Sequence, residues 1–423
     1  MTFSSLWLAQ KFLDALETQW YTHPTPIQAQ AIPLILSGRD VFGCAQTGTG
    51  KTAAFALPTL QLLDAQPKRK SHTPIRSLIL TPTRELAIQI GESFTDYGKG
   101  SYITNGVIYG GVTQHSQVKM LSRWVDVLIA TPGRLLDLIN QKFVNLTEVQ
   151  IFILDEADRM LDMWFINDVK KVISRLPIAK QTLLFSATMA PSIMNLANGL
   201  LKNPAHISVT PVSSTVDTIN QSLYTVSKEN KKDLLVHLLK NTDIKNAVVF
   251  TKTKHGANKV EKILAQNNIS SAAIHGNKSQ AARQKALASL KDGSIRVLVA
   301  TDIAARGIDI DELSHVIIHD VPLEPESYVH RIGRTGRAGL KGHAIMFCEP
   351  DEMKYLKQVT KLIHRDIPLV KDHPYHLDLG HTGKIQPPAP KGRGIPSPHR
   401  SRPSGERHPQ SRSGNKSNWG SKR

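Results

Sequence analysis

Short apolar runs recur along the chain, and each stops abruptly at small, hydroxylic or charged residues. The clearest is Val149-Gln150-Ile151-Phe152-Ile153-Leu154, which gives way at once to Asp155-Glu156-Ala157-Asp158. An apolar run of this length bounded by charge predicts a strand buried on both faces. Runs of the same kind lie at 40–44, 76–80, 106–109, 125–130 and 181–185. Between them the apolar residues fall on a helical repeat, as with Leu6, Leu8, Phe12, Leu13 and Leu16. Alternating strands and helices predict an α/β fold built on a doubly wound parallel sheet, whose connecting loops share one edge. Residues 204–221, rich in Ser, Thr, Val and Pro, lack that period and read as an extended linker with one edge strand. The alternation then resumes, with strands predicted at 247–250, 271–274, 296–300, 315–318 and 343–347 and helices over 257–267 and 280–290. The expected organisation is a first domain over 1–205, a linker over 206–221, a second domain over 222–370 and a tail over 371–423.

In open parallel sheets ligands bind at the carboxyl ends of the strands, so the chemistry is sought there. After the strand at 40–44 comes Ala45-Gln46-Thr47-Gly48-Thr49-Gly50-Lys51-Thr52, followed by a helix-forming stretch. This is a phosphate-binding loop in its strand–loop–helix context, with Ala45 in place of the usual leading glycine. Gly48 and Gly50 let backbone N–H groups surround a phosphate, and the helix N-terminus adds positive potential. Lys51 supplies a point charge for the β- and γ-phosphates, and Thr52 a hydroxyl for magnesium. Asp155 and Glu156 can hold a hydrated magnesium ion and orient a water for attack on a phosphate. The other first-domain strands run into Thr81-Pro82-Thr83-Arg84, Gly110-Gly111, Thr131-Pro132-Gly133-Arg134 and Ser186-Ala187-Thr188. Such groups suit a phosphodiester backbone, which takes hydroxyl, N–H and arginine contacts without its bases being read. The second domain has no phosphate loop. It presents His330-Arg331-Ile332-Gly333-Arg334-Thr335-Gly336-Arg337 instead, either a basic surface for nucleic acid or arginines delivered across a cleft onto a transferring phosphate.

Composition narrows the setting. The 423 residues exceed what one core supports, and the net charge of +18 points to a polyanionic partner, nucleic acid ahead of membrane. Half of that charge lies in residues 382–423, where ten lysines and arginines face one glutamate among Pro, Gly and Ser. A segment of this composition buries too little apolar surface to fold, and it is expected to hold RNA electrostatically. Two cysteines, Cys44 and Cys348, exclude a disulfide framework. With no secretory signal or membrane-length apolar run in the sequence, a cytoplasmic protein is expected.

From Phe3 to about Phe347 the motifs, in order, resemble those of the DEAD-box ATP-dependent RNA helicases, specifically the bacterial type with a short basic tail. The resemblance implies two tandem RecA-like domains with ATP and Mg2+ as cofactors. Phe3 would stack on adenine and Gln28 would read the base edge. Residues 45–52 (Ala45, Gln46, Thr47, Gly48, Thr49, Gly50, Lys51 and Thr52) would cradle the phosphates. Thr52 and Asp155, the latter through water, would hold magnesium, and Glu156 would act as general base. Asp309 would bind ribose, while Arg334 and Arg337 would reach the γ-phosphate. Asp158, Ser186, Thr188 and His330 would couple hydrolysis to strand separation. RNA-backbone contacts would come from Arg84, Gly111, Thr131, Arg134, Thr253, Arg283 and Thr301. The implied activity is local melting of short RNA duplexes by a monomeric core, in ribosome assembly, cold adaptation or RNA turnover, with ribosomal precursors or the RNA-decay machinery as partners. An ATP-gated RNA clamp uses the same motifs. A DNA translocase is disfavoured by the Phe3/Gln28 pocket. Trp20 and Trp164 stand where such proteins usually carry glycine, and both are expected to be core bulk.

Overall fold

The computed structural model describes residues 1–46, 48–67, 74–162, 165–209, 219–241, 243–305, 313–336 and 342–378. Two seven-stranded sheets, parallel throughout, follow one another along the chain. The first comprises β1 (Val41–Cys44), β2 (Ser77–Leu80), β3 (Asn105–Ile108), β4 (Val127–Ala130), β5 (Ile151–Leu154), β6 (Gln181–Ser186) and β7 (Ala205–Ser208), in the order β3-β4-β2-β5-β6-β1-β7. The second comprises β8 (Ile219–Thr225), β9 (Ala247–Thr251), β10 (Ser271–Ile274), β11 (Val297–Thr301), β12 (His315–Ile318), β13 (Gly342–Cys348) and β14 (Leu369–Val370), in the order β10-β11-β9-β12-β13-β8-β14. These are tandem RecA-like domains of the α/β class.

The central strands β2, β4 and β5 are buried at every position, as continuous apolar runs require when helices cover both faces. Each sheet separates two apolar clusters. Residues of alternating parity divide between them, so Ile151 and Ile153 face one side while Phe152 and Leu154 face the other. In the predicted linker, β7 belongs to the first sheet beside β1, and β8 is an interior strand of the second, between β13 and β14. Residues 371–378 were expected to start the tail, yet they pack on the second sheet. Leu377 N–H donates to the Thr225 carbonyl at 3.1 Å, and the rings of His373 and Tyr224 lie 5.2 Å apart. The remaining tail, 379–423, lies outside the described residues, as does Trp164.

Trp20 is not core bulk: it is 90% exposed, with φ 61°. It follows the helix Gln10–Thr18, where Trp20 N–H donates to the Glu17 carbonyl at 3.0 Å and Tyr21 N–H to the Leu16 carbonyl at 3.0 Å. That pair of bonds is a Schellman C-cap, whose left-handed residue is ordinarily glycine. The helix stop dictates the backbone here, and the indole is left in water. Trp7 ends the 3-10 turn Phe3–Leu6 in the same conformation, with φ 62°, and is 70% exposed.

Two stability predictions follow from this packing. Trp20→Gly removes left-handed strain of about 1–2 kcal/mol against an unfolded-state cost of roughly 0.5–1 kcal/mol for glycine. The variant is expected to melt a few degrees higher; an equal or lower Tm would contradict the strain. His315 and His343 are register partners on β12 and β13, with rings stacked 4.9 Å apart. Burial, with the His343 charge adding to it, pushes the His315 imidazole down to about 4 from its ordinary 6.5. The neutral ring is therefore the form the fold favours. Its contribution is complete above pH 6.5 and is lost as pH falls toward about 4. His315→Phe is expected to flatten the fall in Tm over that interval relative to the parent protein.

Candidate functional site: a nucleotide cleft between two lobes

The carboxyl ends of both sheets carry the polar loops, and the first lobe supplies the phosphate cradle. Gly48 and Gly50 hold φ 84° and 89°, the left-handed backbone that curls the loop. A Cβ on Gly50 would lie 2.4 Å from Gln28 Nε2, so the cradle admits no side chain there. Ala45 N–H donates to the Ser186 carbonyl at 3.0 Å, tying the loop to the end of β6. Lys51 opens the helix Lys51–Asp64 and is buried, its Nζ donating to the Ala45 carbonyl at 2.8 Å across the loop. The ammonium thus spans the concavity a triphosphate would fill. Thr49 Oγ1 donates to the Gln46 carbonyl at 2.7 Å, and Thr52 lies half-buried in the first helical turn.

Gln28 lies against the phosphate loop. Its side chain is fully buried; Oε1 accepts from Thr25 N–H at 2.9 Å and Nε2 donates to the Gly50 carbonyl at 3.1 Å. The amide therefore ties the Thr25 turn to the phosphate loop. Phe3 is likewise buried, in the same apolar cluster as Phe12 and Ile27.

The acidic group follows β5. Asp155 N–H donates to the Leu80 carbonyl at 2.9 Å, and Asp155 Oδ1 accepts from Glu156 N–H at 3.0 Å. Burial pushes the Asp155 carboxyl up to about 7; the Lys51 ammonium opposes this, and the charges of Glu156 and Asp158 add to it. Hard oxygen donors at such a place suit a hydrated divalent cation, which would return the carboxyl to its ionised form. Among the described residues there is no ready-made cluster of three metal-ligating side chains, so Thr52, Asp155 and the phosphates themselves are the donors the site can offer. Glu156 stands with φ 52°, an uncommon backbone for a side chain of its size, and is buried. Asp158 turns the other way: its Oδ2 accepts from Ala187 N–H at 3.1 Å, linking the acidic helix Ala157–Asp162 to the Ser186–Thr188 loop. Ser186 Oγ in turn accepts from Thr188 N–H at 3.2 Å.

The second lobe closes this site from opposite. A cavity of about 240 Å³ is lined by Gln46, Ala187 and Thr188 of the first lobe and by Glu326, Val329, His330 and Arg334 of the second. His330 lies on the helix Pro325–Ile332, and Arg334, just beyond it, is 4% exposed. Thr47, Asp309 and Arg337 lie outside the described residues.

A second groove, of about 480 Å³, collects Thr83, Arg84, Gly110, Thr131, Arg134 and Arg283. The Arg84 guanidinium packs against Gly111, where a Cβ would lie 2.1 Å from Nη1, and Gly111 itself has φ 78°. Arg134 Nη2 donates to the Val112 carbonyl at 3.1 Å. Thr253 caps the helix Lys254–Gln266, its Oγ1 accepting from Gly256 N–H at 3.0 Å, and Thr301 ends β11 on the adjacent strand. Arg283 also joins the two lobes. It is buried and ion-paired with Glu85 of the first lobe at 3.0 Å, while Gln280 Nε2 donates to Glu85 Oε1 at 3.0 Å. Glu85 and Gln280 are functional candidates the sequence reading passed over. The one hint was that Glu85 adjoins Arg84 in a loop already singled out.

With this geometry in view, comparison with known proteins decides the family. Residues 25–196 match the DEAD/DEAH box helicase model and residues 230–339 the helicase conserved C-terminal domain. Over 364 residues, 86% of this chain and 68% of the relative, the chain is 42% identical to the DEAD-box ATP-dependent RNA helicase CshA of Bacillus cereus. The chain belongs to the DEAD-box ATP-dependent RNA helicase family. A second relative, the DEAD-box ATP-dependent RNA helicase RhpA of Helicobacter pylori, is 42% identical over 87% of this chain and 74% of its own length. Among solved structures, S. cerevisiae Dbp5 bound to RNA and ADP BeF3 superposes with a TM-score of 0.79 at 31% identity, covering 87% of this chain and 95% of that one. A DEAD box protein from Methanococcus jannaschii gives 0.52 at 39% identity, covering 88% and 99%. No helix among the described residues is long and apolar enough to cross a membrane. As a DEAD-box helicase, the protein is an ATP-hydrolysing enzyme.

Gly50→Ala tests the cradle. With φ 89° and Gln28 Nε2 at 2.4 Å from the added carbon, the loop must distort. ATP affinity is expected to fall at least about tenfold, the equivalent of roughly 1.4 kcal/mol, in a titration with a fluorescent ATP analogue, and wild-type affinity would contradict the geometry.

Proposed function

We propose that the protein separates short RNA duplexes locally, with ATP and magnesium held in the cleft and RNA lying in the second groove. The cavity that joins Gln46 and Thr188 of one lobe to His330 and Arg334 of the other carries this reading. Lys51 binds the β- and γ-phosphates, and Thr52 and Asp155 hold the cation, which supplies charge neutralisation on the transferring phosphate. Glu156 accepts the proton of the attacking water. Arg334, with Arg337 beyond it in the chain, stabilises transition-state charge. Asp158, through Ala187, carries the state of the acidic helix to the Ser186–Thr188 loop, which faces His330 across the cavity.

Arg84, Gly111, Thr131 and Arg134 grip one strand by its backbone, joined from the second lobe by Thr253 and Thr301. Arg283 acts indirectly: with Gln280 it clasps Glu85, next to the RNA-contacting Arg84, so gripping RNA and closing the lobes share one connection. Ribosomal precursors are the proposed cellular substrates, ahead of cold-adaptation and turnover RNAs, with the core acting as a monomer in the cytoplasm.

Glu156→Gln is expected to lower RNA-stimulated kcat at least about 100-fold while ATP-dependent RNA binding persists. In the parent protein, ATP should displace a strand from a short RNA duplex, and DNA of equal length should not stimulate hydrolysis. Tight RNA retention with a non-hydrolysable analogue, together with no displacement under ATP, would favour the clamp instead.

A further inference from the structure

The acidic helix holds a residue that neither the motifs nor the proposed chemistry uses. Arg159 is 2% exposed, among the most deeply buried large side chains of the protein. Its Nη1 donates to Glu156 Oε2 at 2.8 Å, and both side chains of that pair are almost wholly withdrawn from water. Its other amino group, Nη2, is buried without a hydrogen-bond partner among the described residues. Leaving a buried donor on a charged group unpaired is costly, so a native protein that keeps one has a use for it in another state. Arg159 borders a narrow cleft whose remaining walls come from the second lobe: Phe250, Asp302, Ser327, His330, Arg331 and Arg334. Oxygen acceptors lie there. The Asp302 carboxylate takes two bonds from Arg331, at 2.6 and 2.7 Å, and Ser327 adds a hydroxyl.

Glu156 needs an external brace. Its left-handed backbone is not the conformation a glutamate adopts unaided. Glu156 immediately precedes the helix and Arg159 lies in its first turn, three residues on, so the guanidinium reaches back to the carboxylate. Arginine presents a rigid planar fork with five donors, and one fork can serve two acceptors on different bodies.

We propose that Arg159 is a positioning residue for hydrolysis: Nη1 fixes the Glu156 carboxylate, and Nη2 engages Asp302 or Ser327 of the second lobe as the cleft tightens. The base is then held in its working orientation only when the lobes meet, which adds a direct route from lobe closure to the attacking water. This rests on Glu156 being the general base.

The experiment compares Arg159→Met, Arg159→Lys and Glu156→Gln in the full chain, measuring kcat and KM for ATP with and without RNA, together with Tm. Arg159→Met keeps the buried bulk without donors. It is expected to lower RNA-stimulated kcat about 10–100-fold, the scale of a misplaced reacting group, with KM for ATP changed less than about twofold. Arg159→Lys retains one donor for Glu156 and loses the fork. Its stimulation by RNA is expected to fall about tenfold, to a level above that of the Met variant. Combining Arg159→Met with Ser327→Ala and Asp302→Asn should cost little more than the worse parent variant, because the groups act as one connection. Unchanged kcat in Arg159→Met, or full RNA stimulation in Arg159→Lys, would overturn the proposal. So would a proportional change in kcat and KM accompanied by a large fall in Tm, the mark of a merely structural role. Should the Met variant not fold, the Lys variant decides alone. If Glu156→Gln keeps its kcat, the general-base assignment fails; if it loses kcat while both Arg159 variants keep theirs, only the positioning role fails.

Discussion

Burying charge is the constraint on which the rest of this molecule depends. Lys51, Asp155, Glu156, Asp158 and Arg159 are all withdrawn from water at the carboxyl edge of the first sheet. An isolated ion there would be prohibitively unstable, so each must be matched by an opposite charge or an oriented dipole. Lys51 opposes Asp155, Arg159 meets Glu156, and Asp158 is held by backbone N–H groups. The set is tolerated because the parallel sheet delivers β5, β6 and β1 side by side, their ends within two residues of one another. Acids and bases from distant parts of the sequence then reach one another without a long loop. Water excluded from such a site cannot screen its charges, so a small displacement of one group is felt strongly by the others.

The second lobe uses the same architecture for a different purpose. Its strand ends supply arginines and hydroxyls rather than a phosphate loop. In the proposed mechanism neither lobe holds a complete site, and separation of the lobes acts as a control. The Glu85–Arg283–Gln280 contact and the cavity between Gln46 and Arg334 both lie on the seam, one at the groove proposed for RNA and one at the phosphate loop. Two ligands that each favour the tightened arrangement assist one another through it, since the cost of bringing the lobes together is met once.

Much of this was legible in the sequence because parallel sheets write themselves plainly. The apolar runs ending in Asp155, Thr81, Thr131 and Ser186 became β5, β2, β4 and β6, with ends within about two residues of those expected, the usual uncertainty of helix and strand limits. Less legible were segments whose place is set by partners far along the chain. β8 reads as linker by composition, but it is an inner strand because β13 and β14 pair with it on either side. Gln28 matched a base-reading position, while the close approach of Gly50 directs its amide to the loop backbone. The pairing of Arg283 with Glu85, nearly two hundred residues earlier, left no mark in the sequence. For Trp20, size suggested burial. Local backbone geometry overrode it, because a helix terminus specifies a dihedral angle and not a hydrophobicity.

The docking of residues 371–378 has a consequence for the second sheet itself. Leu377 N–H is bonded to the Thr225 carbonyl at the carboxyl end of β8, so this segment fastens the rim of that sheet. A chain cut before it would leave that carbonyl to find water instead, and the ring of Tyr224 would lose its neighbour His373.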